Sequence, residues 1–206
     1  MIAVIDYGLG NLFSLRSSLQ AVGADSAVTD EEAVIRRADR LILPGVGAFR
    51  DAAARLKEKG LDSLIREEAA SGKPLLGICL GMQLLFDESL EFGRYPGLGL
   101  IRGTVVPVPV PDKKIYKLPQ IGWNALRLTR EHPLFARIHD GDHVYFVHSY
   151  HGTDCEADTI AVTEYGTIVT AAVARGNVLG TQFHPEKSGS VGLEILRAFA
   201  EWQVAK

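Results

Sequence analysis

Leu75-Leu76-Gly77-Ile78-Cys79-Leu80-Gly81-Met82-Gln83-Leu84-Leu85-Phe86 is the stretch on which the reading of this chain turns. Leu75–Ile78 is an apolar run with the character of a buried strand, and Met82–Phe86 reads as the start of a helix. Cys79 stands at the change of direction with a glycine two residues to either side. So sharp a strand-to-helix turn needs unusual backbone angles and close approach of strand to helix, which glycine permits. This is the sequence pattern of a nucleophile elbow. The helix N-terminus that follows favours an anionic thiolate. An isolated intracellular cysteine is ordinarily an inert, buried apolar side chain, and it is the flanking glycines that turn the reading toward a reactive one.

Upstream of the elbow, strand-like and helix-like segments alternate. Residues 2–6 predict a strand, Asn11–Val22 a helix, Ala27-Val28 a short strand and Glu31–Ala38 a helix. Leu41–Leu43 predicts a strand closed by Pro44-Gly45-Val46-Gly47, followed by helices over Phe49–Lys59 and Leu61–Ala70 and the strand Pro74–Ile78. This rhythm implies a mostly parallel sheet covered by helices. Ligands of such sheets collect at the carboxyl ends of the strands, where both Pro44–Gly47 and Cys79 fall. After about residue 96 the chain becomes β-rich, with strands expected over Thr104–Val110, Asn124–Thr129, Val144–Tyr150, Thr159–Glu164, Gly166–Ala174 and Val178–Gln182. Val191, Ile195, Phe199 and Trp202 recur at helical intervals and predict a closing helix from Ser190 to Val204. The expectation is an α/β fold forming one domain over residues 1–206, with a β-rich second half.

A chain of 206 residues, 47% hydrophobic and 23% charged, can bury a full core. Its formal charge of −3 and lack of a basic run longer than Lys113-Lys114 argue against nucleic acid or an anionic membrane as partner. The 2 cysteines have no zinc-finger spacing and are too few for a disulfide framework. With no secretory leader and no long apolar span, a soluble, cytoplasmic chain is expected.

A thiolate nucleophile needs a base. Gln182-Phe183-His184-Pro185-Glu186 offers an imidazole and a carboxylate at the end of the apolar strand Val178–Thr181. His184 would take and return the proton while Glu186 orients the ring; alone, a His-Pro-Glu loop is more often a surface turn than a catalytic dyad, and it gains weight only when joined to the elbow. Pro44–Gly47 either aims backbone N–H groups at a developing oxyanion, together with an amide near Leu80, or is an ordinary strand-to-helix turn. If the two motifs converge, the reaction class is acyl transfer. Gly8-Leu9-Gly10 lacks the third glycine of a dinucleotide fingerprint, since Phe13 stands there. His148 and His151, three apart on a strand, would point to opposite faces, so no metal site with Cys155 is expected. Trp123 reads equally as core or interface.

The combination of Pro-Gly-Val-Gly, Gly-Ile-Cys-Leu-Gly-Met-Gln and His-Pro-Glu resembles the class I, triad-type glutamine amidotransferases. Within that family, Asp6–Leu12, Gly122-Trp123-Asn124, Tyr145–Tyr150 and His184–Ser188 resemble the glutaminase subunits of imidazole glycerol phosphate synthases, and the likeness spans essentially the whole chain. The resemblance implies a flavodoxin-like amidotransferase fold without a cofactor. It implies glutamine hydrolysis through a Cys79 thioester, with His184 as base and acid and Glu186 holding it. Ammonia would pass to a cyclase subunit, a (βα)8 barrel of histidine biosynthesis, in a heterodimer. By the same resemblance Val46, Gly47 and Leu80 would form the oxyanion site, with Val46 in a mobile segment. Gly47, Gln83, Glu91 and the backbone of His148, Ser149 and Tyr150 would hold glutamine. Asn11, Trp123, Tyr145 and Lys187 would face the cyclase. Gln120 departs from the histidine expected before Gly-Trp-Asn. The rival readings are the glutaminase subunit of another class I amidotransferase and a non-enzymatic α/β binding module.

Overall fold

The computed structural model describes residues 1–203. Its first half contains strands β1 (Ile2–Ile5), β2 (Ser26–Thr29), β3 (Arg40–Leu43) and β4 (Leu75–Ile78). Helices α1 (Leu12–Ala21), α2 (Glu32–Arg37), α3 (Phe49–Glu58) and α4 (Leu61–Ala70) alternate with them, and α5 (Leu80–Leu84) follows the elbow. The second half supplies β5 (Phe86–Ser89), β6 (Tyr95–Pro96), β7 (Ile101–Pro107), β8 (Gln120–Ala125), β9 (Arg127–Leu128), β10 (His143–His148) and β11 (Tyr150–Thr153). It ends with β12 (Thr159–Glu164), β13 (Ile168–Arg175), β14 (Val178–Thr181) and helix α6 (Gly189–Glu201).

The main sheet has eight strands in the order β2-β1-β3-β4-β14-β13-β12-β9. β2, β1, β3, β4 and β14 run parallel, and the remaining three extend the sheet antiparallel. Strands buried on both faces of a parallel sheet carry continuous apolar runs rather than alternation, and β1, β4 and β14 are buried at every residue. Two apolar layers result. Ile5, Leu43, Phe49 and Met82 belong to one, while Val4, Ile78, Phe183 and Phe199 belong to the other, beneath α1 and α6.

The β-rich half corrects several expected boundaries. The predicted Val144–Tyr150 strand breaks at Ser149: β10 pairs with β8 in a two-stranded ribbon, whereas β11 pairs with β7 in a four-stranded sheet. Asn124–Thr129 likewise divides between that ribbon and β9 of the main sheet. A strand that changes sheets has no signature in alternation, because both pieces remain half-buried. The elbow helix spans only five residues before β5 begins, so its dipole is smaller than a long helix would supply. The closing helix ends at Glu201, and Val204 lies outside the described residues.

Candidate active site

The elbow exists because β4 runs into α5 with almost no clearance. Cys79 adopts φ 54°, ψ −111°, a strained conformation for a residue with a side chain. A Cβ on Gly77 would come within 2.8 Å of Met82 Cα, and one on Gly81 would overlap the Leu43 carbonyl oxygen. Both glycines are therefore required by the approach of backbone to backbone. Cys79 N donates to Thr181 O at 2.7 Å, continuing the β4–β14 register one step beyond the strand ends. That pairing brings the segment after β14 alongside the cysteine.

In that segment His184 Nδ1 donates to Glu186 Oε1 at 2.7 Å, and both residues are almost fully buried. Their loop is laced to β10: His184 N donates to Tyr145 O (3.0 Å), Tyr145 N donates to Ser188 Oγ (3.0 Å), and Ser188 Oγ donates to His184 O (2.6 Å). Burial pulls the His184 imidazole down, but Cys79 and Glu186 beside it reverse the sign, and it is pushed up to about 10. Among the described residues His184 Nε2 makes no hydrogen bond. The ring is thus held by the carboxylate on one side, and its other nitrogen is left unengaged on the cavity side that it shares with Cys79.

A cavity of about 470 Å³ opens over the cysteine and is lined by Val46, Gly47, Leu80, Gln83, Glu91, His148, Ser149, Tyr150 and His184. The expected oxyanion and glutamine-holding positions therefore converge on one space with Cys79, although they come from four separated stretches of chain. Glu186 stands behind His184. Gly47 has φ +105°, and the Val46 and Gly47 amides donate to no acceptor among the described residues. The segment crosses directly over the elbow, since a Cβ on Gly45 would sit 3.0 Å from both Gly81 N and Leu80 Cβ. Free amides, a cysteine and a base around one cavity can support attack on a carbonyl carbon with stabilisation of the resulting oxyanion.

The amidotransferase class I family matches this chain over residues 3–202. The chain belongs to the class I glutamine amidotransferases. Among curated relatives, imidazole glycerol phosphate synthase subunit HisH of Geobacillus thermodenitrificans is 52% identical over 202 residues, covering 97% of this chain and 94% of the relative. HisH of Syntrophotalea carbinolica is 48% identical over 205 residues, covering 98% and 100%. The fold is shared more widely: PurLQS from Thermotoga maritima superposes with a TM-score of 0.73 at 20% identity, covering 96% of both chains. A further glutamine amidotransferase structure gives 0.74 at 18% identity, covering 97% of this chain and 99% of the other.

Within this amidotransferase, two candidate glutamine-holding side chains are already engaged. Gln83 Nε2 donates to Tyr150 O (3.0 Å) and Gln182 Oε1 (3.1 Å). Glu91 Oε2 accepts from Phe49 N at 2.6 Å, tying the cavity wall to the start of α3 just after the glycine segment. His148 is pulled down to about 4 by burial, despite its bond to the Tyr150 carbonyl, with His151 and His184 adding to the effect. It is a neutral wall residue. Sequence reasoning missed Gln182, whose Nε2 lies 3.7 Å from Cys79 Sγ. It also missed Tyr7, which is buried and donates from its hydroxyl to Pro44 O at 2.8 Å, anchoring the glycine segment. Burial, with Cys79 second, raises the Tyr7 phenol above its ordinary value. Both lie in stretches singled out for other residues, and neither shows its role there, because each acts through a neighbour distant in sequence.

The outer rim carries the residues expected to face a partner. Trp123 (52% exposed) and Tyr145 stack edge-to-face at 6.0 Å, with Lys187 Nζ 5.8 Å from the Tyr145 ring centroid. Trp123 is therefore a surface residue, opposite Tyr145 in the ribbon register. Asn11 caps α1 by accepting from Ser14 N, and α1 packs against the Pro185–Lys187 turn. Phe13 on α1 and Ile121 on the ribbon are also exposed. Gln120 faces inward, fully buried, and donates to Asn124 Oδ1 at 3.0 Å. Among the described residues no cluster of metal-ligating side chains occurs, and no helix is long and apolar enough to cross a membrane.

Proposed function

We propose that this chain is the glutaminase subunit of an imidazole glycerol phosphate synthase, one amidotransferase domain acting in the cytoplasm in histidine biosynthesis. The observation that carries the chemistry is the cavity shared by the Cys79 elbow and His184, with His184 bonded to Glu186. The near-50% identity to HisH chains over almost the full length supports the assignment within the family.

In the reaction, Cys79 Sγ attacks the side-chain carbonyl carbon of glutamine. The carbonyl oxygen becomes an oxyanion received by amides of Val46, Gly47 and Leu80. His184, held by Glu186, delivers its proton to the departing nitrogen, so ammonia leaves and a γ-glutamyl thioester remains. Water then gives its proton to His184 and adds to the thioester, releasing glutamate and regenerating the thiolate. Gly47, Gln83, Glu91 and the His148–Tyr150 backbone hold the amino-acid end of glutamine.

Ammonia released into neutral water becomes ammonium and loses its nucleophilicity, so hydrolysis must be gated and its product kept from solvent. The partner is a cyclase subunit, a (βα)8 barrel docked as a heterodimer on the rim formed by Asn11, Trp123, Tyr145 and Lys187. The bonds from Tyr145 to His184 and Ser188 support coupling of that surface to the catalytic loop. Glutamate release should be weak in the isolated chain and strongly accelerated by the barrel with its nucleotide ligand. Activity in the isolated chain equal to that of the complex would remove the gating. Absence of activation despite demonstrated binding would move the chain to another class I amidotransferase.

A further inference from the structure

Besides the His184 side, the Cys79 sulfur has two polar neighbours: the Val147 carbonyl, 3.9 Å away and able only to accept, and the closer side chain of Gln182. Gln182 is fully buried and follows Thr181, whose carbonyl accepts from Cys79 N. Its Nε2 is 3.7 Å from Cys79 Sγ, while its Oε1 is 3.1 Å from Gln83 Nε2. An amide can be turned end for end, so proximity alone does not say which end meets the sulfur. Here a backbone carbonyl settles it. Tyr150 O can only accept, and the atom of Gln83 that meets it at 3.0 Å must be the NH2 group. The same NH2 group faces Gln182 and requires oxygen there. The remaining end of Gln182, pointing at Cys79, is therefore its NH2 group.

We infer that Gln182 is a positioning residue that donates an amide hydrogen bond to the Cys79 thiolate, and that Gln83 acts through it by locking the amide in the donating orientation. A hydrogen bond to a charged acceptor favours the charged form, and a donor whose orientation is preset needs no reorganisation when sulfur becomes anionic. The five-residue elbow helix leaves room for such a device, because a short helix contributes little dipole. The root of the chain is shared: His148 Nδ1 also meets Tyr150 O, at 2.8 Å, and must carry the proton there. The carbonyl that orders the amides thus also sets the tautomer of a cavity-wall histidine. The inference rests on the reading of Cys79 as nucleophile.

The test is the pH profile of Cys79 alkylation by iodoacetamide, read by peptide mass spectrometry with buried Cys155 as internal reference. Gln182→Met keeps length and removes both donors, so alkylation at pH 7 should slow about tenfold and the profile should move to higher pH. Gln182→Glu should move it further, because a carboxylate would face the thiolate. Gln83→Met should act in the same direction by a smaller amount. A folded Gln182→Met protein with the wild-type profile and thermal midpoint overturns the inference. Should the variants fail to fold, the Gln182 side-chain NH2 resonances of ¹⁵N-labelled wild-type protein decide: they must shift when Cys79 is blocked as a methyl disulfide, and unchanged resonances overturn it. Wild-type Cys79 reacting no faster than Cys155 would instead defeat the nucleophile reading itself, and this inference with it.

Discussion

Cys79 and Cys155 are both free, both buried, and both line a cavity that also holds a buried histidine, yet their surroundings have opposite electrostatic sense. Around Cys79 the imidazole is raised to about 10 by the sulfur and Glu186, and an amide donor lies on the sulfur. Around Cys155 the contacts are the hydroxyls of Thr159 (3.6 Å) and Thr170 (3.8 Å). Burial pushes the Cys155 thiol up, with Glu156 and Asp158 adding to the rise. The histidine of its cavity, His151, is pulled down to about 4 by burial and has no partner on either ring nitrogen among the described residues. A cysteine and a histidine beside one cavity are thus not sufficient for a nucleophile. The carboxylate behind the imidazole and the strained backbone that presents the sulfur separate the two pairs.

The sharpest way to break this contrast is to delete each sulfur in turn. In the complex, Cys79→Ala should lower glutamine-dependent turnover by about four orders of magnitude or more, while Cys155→Ala stays within about twofold of wild type. Synthesis from added ammonium salts should survive in both, and its loss in Cys79→Ala would argue against separated active sites. Next in size is the carboxylate. Glu186→Gln preserves shape but removes the charge that holds the imidazolium, so kcat/KM should fall about a thousandfold. A fall of less than about threefold would make Glu186 a bystander.

The smallest effect lies in the pH dependence of stability, where His184 should differ in sign from the buried His151 and His148. His184, raised from 6.5 to about 10, contributes stability that is fully present below pH 6.5 and is lost as the pH rises toward 10. His151 and His148, lowered from 6.5 to about 4, stay neutral in the fold while the unfolded chain takes up protons. Stability therefore falls with acid between 6.5 and 4. Thermal midpoints across pH should show a shallower acid limb for His151→Gln and a flattened alkaline decline for Glu186→Gln. Curves parallel to wild type would contradict the assigned protonation states.

Most of the first half was legible, because buried parallel strands and amphipathic helices write their periods directly into the chain. Helices α3 and α4 lie within a residue of expectation. The β-rich half was legible in kind but not in pairing. Ser149 separates two strands in two different sheets, and nothing in the Val144–Tyr150 pattern marks the change. The same limit applied at the site. Cys79, His184 and Gly47 announce themselves by glycine turns and reactive residue types, whereas Gln182 and Tyr7 look like ordinary residues of a strand end and a loop.

By itself the sequence determined that a cysteine occupies a glycine-framed strand-to-helix turn in an α/β chain, and that an imidazole and a carboxylate stand at the end of another strand. Those are local properties, set by backbone sterics, hydrophobic period and side-chain chemistry. Only the tertiary structure decided that β4 and β14 are neighbours, that Gln182 and His184 thereby reach the cysteine, and that Cys155 meets hydroxyls instead. Strand order is chosen by how apolar faces pack across the whole chain, and the environment of each sulfur depends on that choice.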